Sequence, residues 1–187
     1  QILDCPAKGE ERELTIRTTD ELADEWTGAT IWDASLCLGE MLMRRQLVPE
    51  GDVIELGAGT GYVGLIVAAL GYKVLLTDLP RLLPQLQANI AQNGLEAVAT
   101  AAALEWGDVD AASQIAGSYC TVVMSDLLYL RHTFPLLIET LNALQPQQVF
   151  LCNETRGVED EFRQLLCAGQ DGDMDNPVWS WEELSPE

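Results

Sequence analysis

The sequence predicts an α/β domain: a doubly wound, mostly parallel sheet covered by helices on both faces, a three-layer α/β/α sandwich. Three observations lead there. Apolar runs of strand length alternate with amphipathic stretches of helix length through most of the chain. One run, 52–56, passes straight into a glycine-rich loop, Gly57-Ala58-Gly59-Thr60-Gly61, and a helix-like stretch follows it. Two further runs end on aspartates, Asp78 and Asp126, at the strand ends where such sheets gather ligand-binding groups.

The elements follow in order. The acidic opening reads as a loop, and 13–18 alternates weakly enough to make a short strand. Asp33 is expected to N-cap a helix running to about Gln46, with Ala34, Leu38, Met41 and Leu42 along one face. Pro49-Glu50-Gly51 is a turn, 52–56 a buried strand, and 62–70 a helix closed by Gly71. The cycle repeats with a strand over 73–77 and a helix over 82–93, its prolines Pro80 and Pro84 near the first turn and Gly94 at its end. A third strand is expected over 97–103, then a short helix over 111–116 and a strand over 119–125. A helix over 133–144, a strand over 148–152 and a helix over 159–167 complete the alternation, and 178–181 is strand-like.

Length and composition narrow the chemistry. The chain has 187 residues, enough for one domain that needs no disulfide or metal staple. Thirty acidic against ten basic residues give a formal charge of −20, which argues against nucleic acid and anionic membranes as partners. No Lys or Arg follows Arg163, while Asp171, Asp173, Asp175, Glu182, Glu183 and Glu187 do, as a solvated acidic tail or as a surface for a cationic partner. Five cysteines lack metal-ligand spacing, and the chain has a single His, so no metal site is expected. Cys37, Cys120, Cys152 and Cys167 sit in apolar runs and read as reduced thiols. The longest apolar stretch, 63–76, is broken by Gly71 and Lys73, so no membrane span is expected, and the opening lacks a signal-peptide profile. A cytoplasmic location is expected, with the nucleus as the alternative; oligomeric state is not legible.

The glycine loop precedes a helix N-terminus, where backbone N–H groups favour negative charge. Gly59-Thr60-Gly61-Tyr62-Val63-Gly64 also satisfies the dinucleotide fingerprint. Asp78, at the end of the next strand, can accept two ribose hydroxyls or simply cap a helix. Both NAD and S-adenosylmethionine carry that ribose.

Glu55-Leu56-Gly57-Ala58-Gly59-Thr60-Gly61 resembles motif I of the class I, seven-strand S-adenosylmethionine-dependent methyltransferases. Ile31-Trp32-Asp33-Ala34-Ser35, Thr77-Asp78-Leu79-Pro80, Glu105-Trp106-Gly107 and Ser125-Asp126-Leu127-Leu128-Tyr129 come in the order and spacing of the family 16 protein methyltransferases, largely lysine methyltransferases, of the methyltransferase-like 21 type. The resemblance covers roughly 28–166 and implies a Rossmann-like fold of the seven-strand type. It divides the single domain 1–187 into an N-terminal extension, 1–30, a cofactor-binding core, 31–168, and an acidic C-terminal segment, 169–187.

By that resemblance S-adenosyl-L-methionine is the cofactor and S-adenosyl-L-homocysteine the product. Glu55 would face the methionine amine, directly or through water. Backbone groups of Gly57, Ala58, Gly59, Thr60 and Gly61 would hold the methionine carboxylate. Asp78, with Leu79 beside it, would take the ribose; Trp106 would border the adenine with Glu105 near its exocyclic amine. Trp32 and Ser125 would also lie by the cofactor. Asp126 would orient the target amine or the cofactor's amino group, and Tyr129 would shape the mouth. The prolines of the Asn/Asp-Pro-Pro-Tyr signature of base and amide methylases are missing, which again disfavours nucleic acid.

The implied reaction is in-line methyl transfer to nitrogen, most simply the lysine amine of a protein with a basic surface. Such a lysine must first lose its proton, at a cost of roughly 4.6 kcal/mol at pH 7. A carboxylate beside it aids binding and opposes that loss. No general base is assigned, and His132 reads as an exposed residue at a helix start. Alternatives are a methyltransferase of a small molecule or another protein nitrogen, and a non-catalytic S-adenosylmethionine-binding interaction protein. Two departures from the family stand out. The stretch after 167 is short for a sixth and seventh strand, so either a truncated chain or an abbreviated hairpin is expected, and Asn153-Glu154-Thr155-Arg156 keeps the Arg of a Tyr-x-x-Arg segment without its Tyr.

Overall fold

Five parallel strands form the central sheet in the order β5-β4-β3-β6-β7: β3 (Val53–Leu56), β4 (Val74–Asp78), β5 (Ala99–Ala103), β6 (Thr121–Ser125) and β7 (Gln148–Cys152). The structure is a computed structural model that describes residues 2–7, 10–18, 28, 30–167, 179, 182 and 183. Helices α1 (Asp33–Met43), α2 (Tyr62–Ala69) and α3 (Leu83–Gln92) cover one face, and α4 (Val109–Gln114), α5 (Phe134–Leu144) and α6 (Glu159–Cys167) the other. This is the α/β/α sandwich expected from the alternation of apolar runs.

The pleat sorts the strand residues between two cores. Val53 in β3, Leu76 in β4, Val123 in β6 and Phe150 in β7 join the core under α1–α3. Their neighbours Ile54, Leu75, Val122 and Leu151 pack with Phe134, Leu137, Leu141 and Phe162 on the opposite side. Helix α2 is buried at every position, so it is apolar all round and shows no amphipathic stripe.

The site follows from the sheet order. The chain reverses its direction of travel across the sheet between β3 and β6, the place where such folds open a crevice at the carboxyl strand ends. These strands pair with Leu56 opposite Met124, so Gly57 leaves the sheet beside Ser125, the last residue of β6, which still pairs with Cys152 of β7. On the other flank of β3, Asp78 ends β4 opposite Ala103 of β5.

Several boundaries depart from expectation. The opening is an antiparallel hairpin, β1 (Ile2–Ala7) with β2 (Glu10–Thr15), and no loop. A two-stranded ladder is held by backbone groups, which an acidic composition neither supplies nor removes. Beyond β2 the chain does not continue as a strand to residue 18. The Thr15 and Arg17 N–H groups instead donate to the side-chain carbonyls of Asn93 and Asn89, at 2.8 and 2.9 Å. Leu14 and Ile16 fill the core below.

Asp33 is the first helical residue of α1; the N-cap is Trp32, whose carbonyl accepts from Ser35 N–H at 2.9 Å. The acid therefore acts on the dipole of the first turn and caps nothing. The short helix begins at Val109, ahead of expectation, because Asp108 caps it by accepting from Ala111 N–H at 3.0 Å. Of the strand-like 178–181, Trp179 is described, its indole N–H donating to Asn142 Oδ1 at 3.2 Å, and the rest lies outside the described residues.

Candidate functional site

A cavity of about 410 Å³ opens at the carboxyl ends of β3, β4 and β6. Its walls bring together segments far apart in the chain: Trp32 and Ser35, the loop Gly57 to Thr60, Asp78 and Leu79, Glu105 and Trp106, Ser125 to Leu127, Tyr129, and Arg156.

The glycine loop is anchored from both sides. Ala58 N–H donates to Thr77 O at 2.9 Å and Gly61 N–H to Ala58 O at 2.7 Å, closing a tight turn ahead of α2. Gly59 has φ +55°, and a Cβ there would stand 2.8 Å from the carbonyl oxygen of Gly28, so both conformation and space demand glycine. Its N–H donates to Asp78 Oδ2 at 2.7 Å, and Leu79 N–H donates to Asp78 Oδ1 at 2.7 Å. Asp78 thus ties the end of β4 to the loop after β3 and keeps acceptor sites on both oxygens for a ligand. Burial raises its pKa, opposed by those two N–H bonds and by the charge of Arg81.

Two expected ligand contacts belong to the layer beneath. Glu55 is 1% exposed and does not line the cavity. It shares the pleat face of Val53, under α2, and its Oε2 accepts from Gly64 N–H at 2.8 Å. Burial pushes its pKa up to about 8, opposed by the Gly64 bond and reinforced by the charge of Asp78. Its role here is to hold the loop and helix together. Gly61 also lies off the cavity wall; at φ +80° its Cβ would meet Leu76 Cδ2 at 2.7 Å, so it is a packing glycine.

Glu105 and Trp106 reach the cavity from the loop after β5. That loop is pinned to α5 by Gly107 N–H donating to Thr140 Oγ1 at 2.8 Å. Trp106 leans over the glycine loop: its Cζ2 lies 3.1 Å from where a Cβ on Gly57 would stand. On the far wall Ser125 and Ser35 share a hydroxyl hydrogen bond of 2.9 Å. Trp32 and Tyr129, each 41% exposed, flank the mouth.

Asp126 sits at φ +59°, a conformation a non-glycine residue rarely takes, and is 8% exposed. The Arg156 guanidinium forks onto it, with Nη1 on Oδ1 and Nη2 on Oδ2, the latter at 3.1 Å. Glu154 N–H donates to the same Oδ1 at 3.3 Å, and Leu128 N–H donates to Asn153 Oδ1 at 2.9 Å. The loops after β6 and β7 are therefore sewn together under the cavity. The pair raises the Arg156 pKa through its hydrogen bonds to Asp126.

Sequence reasoning noticed Arg156 as the surviving half of a family pattern; its partner, thirty residues away, is what folding adds. Ser35, Arg81, Thr133 and Leu136 also line the cavity and carried no sequence signal beyond proximity to motifs. His132 is exposed and does not line it. Among the described residues no group of His, Cys, Asp and Glu could hold a metal ion.

Comparison with known proteins agrees with this geometry. The chain is 42% identical over 146 residues to EEF1A lysine methyltransferase 3 of Xenopus tropicalis, covering 74% of this chain and 64% of that protein. It is 37% identical over 132 residues to the protein N-lysine methyltransferase METTL21A of Danio rerio, covering 66% of this chain and 60% of that protein. It thus spans a little under two thirds of the length of these relatives. A solved structure titled for the conversion of a disulfide bond into a thioacetal group during echinomycin biosynthesis superposes with a TM-score of 0.50 at 22% identity, over 64% of this chain and 48% of that one, a likeness of fold. The profile of the Methyltransf_16 family, described as lysine methyltransferase, matches residues 9–166, and the chain belongs to that family, whose cofactor is S-adenosyl-L-methionine.

Proposed function

We propose that this chain transfers a methyl group from S-adenosyl-L-methionine to the side-chain amine of lysine in a protein substrate. One observation carries the reading. The glycine loop, Asp78 and Trp106 on one side, and Asp126 and Tyr129 on the other, open into a single cavity of about 410 Å³.

The residues present fit the cofactor. Gly57 and Gly59 line the cavity and hold a left-handed turn that a Cβ would drive into Leu127 and the Gly28 carbonyl, so the bare backbone faces the ligand space. Asp78 retains acceptor sites for ribose hydroxyls, and Trp106 offers an apolar face for an adenine beside the Glu105 carboxylate. Asp78, Glu105 and Asp126 outnumber Arg81 and Arg156 around the cavity, a balance that suits a cationic ligand better than the pyrophosphate of NAD. When bound, the cofactor supplies an electrophilic methyl group on a sulfonium. The protein's part is to hold the acceptor in line and dry: Trp32 and Tyr129 frame the mouth with aromatic surface against which a lysine's methylene stem packs.

The net charge of −20 supports a substrate with a basic surface over nucleic acid or lipid. No helix among the described residues is long and apolar enough to cross a membrane. The relatives named for EEF1A make EEF1A the first substrate to try. The free cysteines Cys37, Cys120, Cys152 and Cys167 support a reducing compartment, the cytoplasm with the nucleus as the alternative.

Calorimetric titration with S-adenosylmethionine and, separately, NAD tests the reading on wild type and Asp78→Ala. Micromolar binding of the first ligand alone is expected, weakened about 10- to 100-fold in the variant by loss of charged hydrogen bonds. Incubation with EEF1A and labelled cofactor should then place methyl groups on lysine. Binding of NAD alone, or of neither ligand, would overturn the proposal.

A further inference from the structure

Resting on the lysine reading, the arrangement around Asp126 raises a problem that the structure also answers. At pH 7 only about one lysine in 2,500 is unprotonated. A lone buried carboxylate beside it would hold the ammonium and lower that fraction further. In the described residues Asp126 does not stand alone: its ion-pair partner is Arg156, 26% exposed at the side chain against 6% for Asp126, and both line the cavity.

Arg156 is itself held in place. Its backbone N–H donates to Glu159 Oε1 at 2.7 Å and its Nη2 to Glu154 Oε2 at 2.8 Å. The Arg156 bond leads the set of N–H groups that keep the Glu159 carboxyl below its usual range. Among the described residues the Cys152 thiol also interacts with Asp126. Cys152 on β7 is pushed up to about 12, first by burial and then by Cys37 of α1 beside it, so it adds no charge near neutrality. Ser35 and Ser125 contribute hydroxyls, and Tyr129 a phenol at the mouth.

A carboxylate offers about four acceptor sites. Asp126 Oδ1 takes Arg156 Nη1 and Glu154 N–H, and Oδ2 takes Arg156 Nη2. Among the described bonds one acceptor site on Oδ2 is left, and Asp126 lines the cavity.

We propose that Arg156 is a positioning residue: by forking onto both oxygens it cancels the Asp126 charge and fixes its rotamer, so that the pocket seats the lysine nitrogen as the free amine. The proton leaves to solvent before the nitrogen enters. The remaining Oδ2 site accepts one amine N–H and aims the lone pair without holding an ammonium. A neutral acceptor site also disfavours guanidinium targets, which cannot shed their charge.

The experiment measures initial rates of methyllysine formation on total cell-lysate protein, from pH 6.5 to 11, at saturating cofactor. The proteins are wild type, Arg156→Met, Arg156→Lys and Asp126→Asn/Arg156→Met. Calorimetric affinity for S-adenosylmethionine and the melting temperature monitor folding. With Arg156→Met the acid limb should move up by about one pH unit, with a rate loss of about 10-fold at pH 7.5 that narrows to about 3-fold at pH 11. Cofactor affinity should stay within about 2-fold of wild type. Arg156→Lys should hold the limb near its wild-type position, and the double variant, again neutral, should return it there. A loss by the same factor at every pH, or a double variant whose limb stays displaced, overturns the proposal and leaves the lysine reading standing. A wild type that forms no methyllysine at any pH overturns both.

Discussion

The two walls of the cavity are built by different means. On the β3–β4 side the acids are fixed by main-chain N–H groups: Gly59 and Leu79 on Asp78, and Gly64 on Glu55 one layer down. On the β6–β7 side Asp126 is fixed mainly by the side-chain fork of Arg156, with one longer main-chain bond from Glu154 N–H, and the Asn153 side chain accepts from Leu128 N–H. Main-chain donors leave little room for adjustment, as befits a wall that meets one small ligand every time. Side-chain pairs can re-form around a partner, and on the proposed reading this is the wall that meets the protein substrate.

If that contrast holds, the largest damage comes from disturbing the main-chain wall. Gly59→Ala places a Cβ 2.8 Å from the Gly28 carbonyl oxygen at φ +55°, and a backbone oxygen cannot swing aside as a side-chain end can. The left-handed conformation alone costs about 1–2 kcal/mol. Titration should show S-adenosylmethionine affinity reduced more than about 100-fold, because the Gly59 N–H that orients Asp78 moves with the loop. The melting temperature should fall by about 4–8 °C. Near-wild-type binding by this variant would break the picture of a rigid cradle.

Glu55 sharpens the comparison through pH. Its pKa rises from 4.5 to about 8 in the folded protein, so the native state holds a proton that the unfolded chain has released. The stabilising contribution is therefore complete below about pH 4.5 and is lost as pH rises toward 8, on the order of 5 kcal/mol in all. Glu55→Gln keeps an acceptor for Gly64 N–H and removes the titration. Melting curves of wild type and variant should nearly coincide at pH 5, with the variant the more stable at pH 9. Curves that stay parallel across that range would mean that Glu55 does not titrate in the folded protein.

The same two walls explain what the sequence revealed. Motif residues lie within a few positions of a strand end, so the glycine loop, Asp78, Trp106 and Asp126 could be placed on the cavity from local pattern. Glu55 and Gly61 belong to the same motif but turn inward. Alternation along β3 carries the signal for Glu55, since it shares a face with Val53 while Ile54 and Leu56 point the other way. Gly61 had none, because the side chains it makes room for, Leu76 and Leu86, lie on other elements. The Asp126–Arg156 fork, the Ser35–Ser125 bond and the docking of residues 15–17 onto Asn89 and Asn93 join positions 30 to 90 apart. No local pattern encodes such pairs. The strand that matched most closely, 148–152, and the helix over 159–167 are bounded by residues whose own preferences agree with the fold.

The smallest effect separates function from decoration within the side-chain wall itself. Arg131, in the short 3-10 turn after Tyr129, pairs with Glu161 of α6, also bridging the two loops' flanks, but with side chains 61% and 44% exposed. Exposed pairs of this kind are screened by solvent and salt. A double-mutant cycle on Arg131→Ala and Glu161→Ala in urea should give a coupling below about 0.5 kcal/mol that vanishes in molar salt. The equivalent cycle on Asp126→Asn and Arg156→Met should give about 1.5–3 kcal/mol, with much of it surviving salt, because one partner is buried and the fork is bidentate. Equal couplings would mean that the β6–β7 wall is held by general electrostatics. Unequal ones would place its rigidity in the one pair that faces the cavity.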